Sequence, residues 1–501
     1  MTTASTIPLV IDLDGTLTPT DTLVESIIQL CKQHPPILLK LPFWLIKGRA
    51  GFKARVANRS TLSVTNLPYR TNLVDYLRNQ KKNGRQLILA TAANRNIANA
   101  VAAHLGLFDT VLSSSESHNL KGTEKLIAIQ KLVGSQFVYA GDSKADLPIW
   151  QAAQAAILVN TSSVVSNAVR KNTPIELEFP AANTGIRVWL RALRVHQWFK
   201  NLLLFVPLLT AFSFQEVDKL LAITLAFFAF SLTASATYIG NDLWDLESDR
   251  SHPRKRYRPF ASAQIPIIKG FTLAAGLLVL GLMLAAYVSL NFFWILLLYL
   301  FVTLIYTWTL KTYVLIDVIV LSLLYTLRII AGSVAVEVPT SSWLLAFSVF
   351  IFFSLALVKR CSELVSLQQS GKEATRGRDY RTSDLVVLWP LGVGSALSAV
   401  VVFGLFISAT ETQVRYANSQ GLWLVAIGLI YWLARLWIKT SRGEMHDDPL
   451  VFAIRDFGSR ITIIAMIMQL SPLTSSSWNK ACISSLLPLS VFFFLLLLNF
   501  Y

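Results

Sequence analysis

Apolar positions fall into two patterns along this chain. Up to about residue 185 they come as short runs, at Ile7–Leu13, Gln86–Ala90 and Phe137–Ala140, separated by stretches with helical periodicity. Short apolar runs alternating with helices predict buried strands and a parallel α/β sheet. From about Trp198 the pattern lengthens. Apolar spans lie near 199–214, 220–240, 267–288, 291–310, 313–335, 343–358, 386–408, 422–438, 452–470 and 484–500. Most approach the ~20 residues that cross a bilayer. The first is short, and the ninth carries Arg455, Asp456 and Arg460 near its start. Between the two patterns, Asn172–Ala182 with Pro174 and Pro180 reads as a linker.

Composition supports the second pattern. Of 501 residues 53% are apolar and only 15% charged, with a mean hydropathy of +0.52. Soluble domains carry roughly 25% charged residues, so much of this surface must face lipid. A disordered chain, a coiled coil and an all-soluble enzyme are excluded. The net charge of +16 divides between the halves, with 19 Lys/Arg against 12 Asp/Glu in residues 1–186. With the N-terminus inside, the inner loops hold fourteen Lys/Arg and the outer loops three. The positive-inside bias then places the first domain and the large loops in the cytoplasm, at a plasma (inner) membrane. No basic stripe interleaved with aromatics suggests nucleic acid. Cys31, Cys361 and Cys482 offer neither a disulfide framework nor metal spacing. No signal peptide is expected from the N-terminal residues.

Candidate chemistry in the first half sits at strand ends. Ile11-Asp12-Leu13-Asp14-Gly15-Thr16 closes the first strand, Thr91 the second, and Gly141-Asp142-Ser143-Lys144-Ala145-Asp146 the third, with Asn119-Leu120-Lys121-Gly122-Thr123-Glu124-Lys125 between. Ligands of open parallel sheets bind at the carboxyl ends of strands. A carboxylate nucleophile, a second carboxylate for proton transfer, oxygen ligands for Mg²⁺ and a lysine to take up phosphoryl charge make a phosphate-transfer set. The four motifs, in order over about residues 5–170, resemble the haloacid dehalogenase phosphatase family. That resemblance implies Asp12 as nucleophile, Asp14 as general acid/base, Thr91 as phosphate ligand and Lys121 as phosphate lysine, with Lys125 as the alternative. It also implies Mg²⁺ held by Asp12, Asp14, Asp142 and Asp146, and a small helical cap over about 22–77.

In the second half, Asn241-Asp242-Leu243-Trp244-Asp245-Leu246-Glu247-Ser248-Asp249-Arg250 follows the second span. The spacing i, i+3, i+7 places Asp242, Asp245 and Asp249 on one helix face, an arrangement expected if Mg²⁺ bridges them to a substrate diphosphate. The basic run Arg254-Lys255-Arg256-Tyr257-Arg258 follows, with cations to hold phosphate oxygens. This looks like the UbiA superfamily of intramembrane transferases over about residues 187–470, which implies nine core helices. Tyr306 and Lys311 resemble that family's substrate-phosphate element. The second acidic motif of the aromatic prenyltransferases is missing: the loop after span six starts Lys359-Arg360-Cys361-Ser362-Glu363. With Gln197-Trp198-Phe199-Lys200-Asn201 and Leu327-Arg328-Ile329-Ile330-Ala331-Gly332, the pattern is closest to the polyprenyl-phosphate phosphoribosyltransferase branch.

The fold expected is therefore an α/β Rossmann-like phosphatase domain with a small helical cap (1–171), a linker (172–186), an all-α multi-span bundle (187–470) and an extra C-terminal span (471–501). The resemblance implies a bifunctional Mg²⁺-dependent membrane enzyme that transfers phosphoribose from phosphoribosyl pyrophosphate (PRPP) to a polyprenyl phosphate and then removes a phosphate. Substrate contacts are expected from Thr91, Lys121, Lys200, Asn241, Arg250, Lys255, Arg258, Tyr306, Lys311, Arg328, Lys359, Arg360 and Glu363. The rival readings are an aromatic prenyltransferase using an isoprenyl diphosphate, and a transporter with Asp317 and Arg328 in its pathway and a regulatory phosphatase-like module. Asp317 and Arg328, eleven residues apart on nearly one helix face, could instead form a structural ion pair.

Overall fold

The computed structural model describes residues 7–470 except 47, 116–117, 181–184, 212, 372, 375–377, 411–412, 414–418, 446–448, 450–451 and 453–454. The expected span at 484–500 lies outside the described residues. The described residues divide into two compact units, those up to 195 with 235–276, and 196–234 with those from 277 onward.

The first unit is built on a six-stranded parallel sheet of order β3-β2-β1-β4-β5-β6: β1 (Leu9–Ile11), β2 (Leu87–Asn94), β3 (Thr110–Ser114), β4 (Val138–Gly141), β5 (Ala155–Val159) and β6 (Ile175–Phe179). Successive residues of β1 serve opposite faces. Leu9 and Ile11 join one apolar cluster and Val10 the other, all fully buried. Such two-sided burial explains why these strands read as continuous apolar runs. The helices in order are α1 (Thr22–Gln33), α2 (Leu41–Ile46), α3 (Arg49–Ala57), α4 (Thr71–Lys82), α5 (Arg95–Leu105), α6 (Thr123–Val133), α7 (Leu147–Ala152), α8 (Ser163–Arg170) and α9 (Ile186–Leu193). Between β1 and α4, helices α1 to α3 and a 3₁₀ turn at Pro35–Leu39 form a small cap around Leu30, Phe52 and Val56. The cap ends earlier than expected, because Leu73, Val74 and Leu77 commit α4 to the sheet core. The expected linker also differs. It contains β6, whose apolar residues 175, 177 and 179 alternate with Glu176 and Glu178.

The later helices are α10 (Val206–Thr210), α11 (Val217–Trp244), α12 (Leu246–Ser251), α13 (Ile267–Val288), α14 (Leu290–Trp308), α15 (Ile316–Ala335), α16 (Ser342–Gln369), α17 (Leu385–Ser408), α18 (Leu422–Ser441) and α19 (Phe457–Leu470). Seven of them, α11 and α13 to α18, are long and apolar enough to cross a membrane among the described residues. The expected first span is instead a 3₁₀ segment, Val195–Phe205, followed by the single turn and a half of α10. Pro207 at the start of α10 and the polar Gln197, Lys200 and Asn201 deny that stretch a regular apolar helix. The sixth expected span runs on to Gln369, so Lys359, Arg360 and Glu363 lie on α16 rather than in a loop. The core of this unit lies in two clusters, one among α15 to α18 and one among α10, α11, α14 and α15.

Candidate functional site

The carboxyl ends of β1, β2 and β4 open on a cavity of about 360 Å³. Asp12 leaves β1 with its N–H donating to Ala140 and one carboxylate oxygen accepting from the Leu13 N–H at 2.8 Å. Gly15 turns the chain at φ +83°, and a Cβ there would stand 2.2 Å from an Asp142 oxygen, so the turn requires glycine. Arg70 fastens this loop, donating to the carbonyls of Thr16 (3.1 Å) and Gly15 (3.2 Å). Asp14 accepts from the Thr22 N–H at the start of α1, at 2.9 Å. Asp12, Asp142 and Asp146 each present an oxygen within 4.8 Å of the others.

Both lysines from the sequence line this cavity, but they differ. Lys125, in the first turn of α6, is buried and lies 3.0 Å from Asp12 and 3.7 Å from Asp146. Lys121 is exposed. Sequence reasoning did not find Tyr139, whose buried hydroxyl accepts from Lys125 (3.0 Å) and donates to Asp146 (2.8 Å). It also missed Lys53 of the cap, which reaches the cavity and donates to the Ala92 carbonyl and the Asn119 side chain. The alternation of β4 carried the signal for Tyr139; Lys53 had none. Thr91 is fully buried, and its hydroxyl accepts from the Ala93 N–H; Ala92 to Asn94 form the cavity wall at that strand end.

Burial dominates the electrostatics. It raises the Asp14 carboxyl to about 7, helped by the nearby Asp21. It raises Asp142 to about 7 as well, with the charges of Asp12 and Asp146 adding to the effect. Asp12 is also raised, by burial first, against the opposing pull of Lys125. Burial pulls the Lys125 ammonium down, but Asp12 and Asp146 more than reverse it. Three crowded carboxylates with one ammonium fit a hard divalent cation that prefers oxygen ligands. Asp12 and Asp142 have lone pairs to offer. Asp146 is already engaged by Tyr139, by the Ser143 N–H and hydroxyl and, at 3.4 Å, by the Asp142 N–H, which suits it to holding Lys125 and the turn.

The second acidic set is built differently. The helix breaks at Asp245, so Asp242 lies in the last turn of α11 and Asp249 on α12. Arg258 spans them, at 3.1 Å from Asp242 and 2.7 Å from Asp249, and Arg194 also grips Asp242. Among the described residues these aspartates do not gather into a three-carboxylate cluster. Asp245 is half-buried beside Asn241; Lys255 is exposed on a short 3₁₀ turn. The Arg250 guanidinium forks onto Glu25 of α1 at 2.6 and 2.7 Å and donates to the Ala261 carbonyl, so three of its five N–H donors serve the fold.

In the other unit Asp317 is fully buried on α15. It accepts from Tyr306 at 2.7 Å and from a fork of Arg360, which also binds Glu363 at 2.6 Å. Leu315, just before it, takes φ +65° and ψ −42°, with the Ile316 N–H donating to the Val314 carbonyl at 2.8 Å. That is a strained γ-turn, held by the Leu315 N–H donating to the Tyr380 hydroxyl. The pairing of Asp317 with Arg328 is not found, because eleven residues of helix separate them by about 16 Å. Arg328 instead donates to Asn201 (3.0 Å), Tyr299 (3.0 Å) and the Leu324 carbonyl (2.6 Å). One turn on, a Cβ at Gly332 would stand 2.0 Å from the Leu204 carbonyl, so glycine lets the 195–205 segment lie against α15. Lys200 and Lys359 share a cavity of about 70 Å³ with Tyr325. Lys311 is half-buried on the turn Leu310–Thr312.

Fold and sites together define a multi-pass membrane transferase with a fused phosphatase domain. Residues 202–464 match the UbiA prenyltransferase family and residues 9–151 the haloacid dehalogenase-like hydrolases. The chain belongs to the UbiA prenyltransferase family and carries an N-terminal haloacid dehalogenase-like hydrolase domain. It is 39% identical over 458 residues to the uncharacterised protein y4nM of Sinorhizobium fredii, covering 90% of this chain and 88% of that one. It is 34% identical to nodulation protein NoeC of Azorhizobium caulinodans, over 58% of this chain and 94% of NoeC. It is 31% identical to decaprenyl-phosphate phosphoribosyltransferase of Mycobacterium tuberculosis, over 58% of this chain and 94% of that enzyme.

Proposed function

We propose that the membrane domain transfers phosphoribose from PRPP to a polyprenyl phosphate, the acceptor phosphate oxygen bonding to the ribosyl carbon as pyrophosphate leaves, and that the phosphatase domain removes a phosphate, the ribose 5-phosphate of that product. The observation that carries this reading is the similarity to decaprenyl-phosphate phosphoribosyltransferase along 94% of that enzyme. The residues agree with it. Asp242, Asp245 and Asp249 offer carboxylates for a magnesium–diphosphate and Arg258 a cation for phosphate oxygens; Lys200 and Lys359, which share a cavity of the other unit, are further candidate cations for a phosphate. The phosphatase domain and the basic loops lie on the cytoplasmic side in this reading, following the Lys/Arg bias.

In the phosphatase, Asp12 attacks phosphorus and forms an aspartyl phosphate. Asp14, whose carboxyl titrates near 7, gives its proton to the leaving alkoxide and then takes one from the water that hydrolyses the intermediate. Lys125 stabilises phosphoryl charge from behind Asp12. Asp12 and Asp142 would hold Mg²⁺, which when bound would supply further neutralisation of phosphoryl charge.

The test uses detergent-solubilised protein with Mg²⁺, a polyprenyl phosphate and radiolabelled PRPP. Label enters the lipid phase, and Asp245→Ala abolishes the transfer. Asp12→Asn accumulates the 5-phosphorylated lipid. If an isoprenyl diphosphate and 4-hydroxybenzoate give prenylated product while PRPP gives no ribosyl lipid, the reading is wrong.

A further inference from the structure

The cap carries an apolar surface that the phosphatase chemistry does not use. From the 3₁₀ turn Pro35–Leu39 through α2, no residue is buried. Ile37, Leu41 and Trp44 turn inward against Leu30, Phe52 and Val56. The side chains turned outward are also apolar: Leu39 is 77% exposed, Phe43 68% and Ile46 82%, with Leu38 and Leu45 beside them. An exposed cluster of this size on a soluble domain marks an interaction surface. Its cations are close by in sequence: residues 26–74 contain eight Lys/Arg and no Asp/Glu. Lys53 and Arg70 of these serve the cavity and its loop, whereas Lys40 lies exposed inside the patch and Arg59 stacks on Trp44 at 4.9 Å.

We propose that Pro35–Ile46 is a membrane-seating element, which inserts its Leu, Phe and Ile side chains into the interface of an anionic bilayer while the surrounding cations meet lipid phosphates. Two observations select lipid as the occupant. An apolar face of Leu, Phe and Ile edged by Lys/Arg is the composition of interfacial helices, and a segment whose Lys40 and Arg59 flank that face and which has no Asp/Glu between residues 26 and 74 complements an anionic leaflet. The unit is also tied to a bilayer covalently, because it contains the first ten residues of the spanning helix α13. Pro266 and Ile268, at the start of α13, rim the phosphatase cavity, and Lys53 and Ala57 of α3 line it. Seating the cap would therefore hold the cavity at headgroup level, where a phosphate carried on a lipid arrives. The proposal depends on the membrane assignment and not on which donor or acceptor the transferase uses.

The test replaces Cys31, Cys361 and Cys482, then introduces Leu39→Cys in the full chain and labels it with an environment-sensitive fluorophore. A parallel Val164→Cys reports a site on α8 that is also 77% exposed but isolated. In phosphatidylcholine–phosphatidylglycerol proteoliposomes, spin-labelled lipid quenches the label at 39 and aqueous iodide does not; position 164 shows the reverse. Penetration of ~5–10 Å is the depth expected of an interfacial helix. Iodide quenching at 39 equal to that at 164 overturns the proposal. Protection of position 39 from both quenchers also overturns it, since the occupant is then protein. A triple variant, Leu39→Glu with Phe43→Glu and Ile46→Glu, keeps hydrolysis of p-nitrophenyl phosphate within about twofold of the parent if the patch only seats the cap, since none of the three lines the cavity. If that variant does not fold, the quenching result at position 39 still decides.

Discussion

The chain holds two acidic centres, and their counter-charges come from opposite directions. In the phosphatase, three carboxylates converge from strand ends and one buried lysine stands behind them, leaving the cavity side open. On α11 and α12, Arg258 lies between Asp242 and Asp249 and Arg194 adds a second guanidinium. The first centre keeps its carboxylates together beside an open cavity. In the second, Asp242 and Asp249 are neutralised from within, so those two carboxylates are freed as the arginines turn to another anion. Burying like charges demands compensation in either case; the two sites differ in whether the compensating group must move.

Four measurements would break or sharpen this contrast. The largest effect is expected from Asp12→Asn, which should lower hydrolysis of p-nitrophenyl phosphate by roughly 10³-fold or more while sparing lipid transfer. Loss of both activities would mean that the two centres are not separate. Next, Lys125→Ala should cost phosphatase turnover about 10²-fold, and Lys121→Ala only a few-fold, because the first removes the cation touching Asp12. The opposite order would restore Lys121 as the phosphate lysine. Third, Arg258→Ala should weaken transfer by about tenfold, chiefly through KM for the diphosphate donor. An unchanged KM would show that Arg258 only serves the fold. The smallest effect concerns pH. Asp142 titrates near 7 and Asp12 is raised above its usual value of 3.8. A carboxyl raised in the folded state favours the fold at low pH, and its contribution is lost as pH climbs from about 4 through 7. A bound divalent cation offsets that loss. Chelation should therefore lower the melting temperature more at pH 8 than at pH 6, by about 2–4 °C, read by scanning calorimetry.

The strand-end aspartates were legible because each motif is contiguous and the sheet delivers strand ends to one place. The choice between Lys121 and Lys125 was not. It depends on where α6 begins, and the start at Thr123 puts Lys125 in the first turn, on the inward side. The edge strand β6 was hidden by Pro174 and Pro180, although residues 175–179 alternate as a half-exposed strand should. The partner of Asp317 was also beyond reach, since Arg360 is 43 residues away and only tertiary packing of α15 on α16 brings them together. Local spacing suggested Arg328 because sequence displays neighbours along a helix more readily than neighbours across one.

The fork between Glu25 and Arg250 has a consequence for how such a chain can be cut. Glu25 sits one turn after the N–H that holds Asp14, and Arg250 follows Asp249 directly. Both charges are nearly buried. Cutting the backbone between the two family regions leaves this fork in place, and parting the fragments would break its two charge-assisted hydrogen bonds, so the fragments should remain associated after the peptide bond is gone. The border between the two family regions and the border between the two compact units are then different lines, and the second runs through α11 and α13.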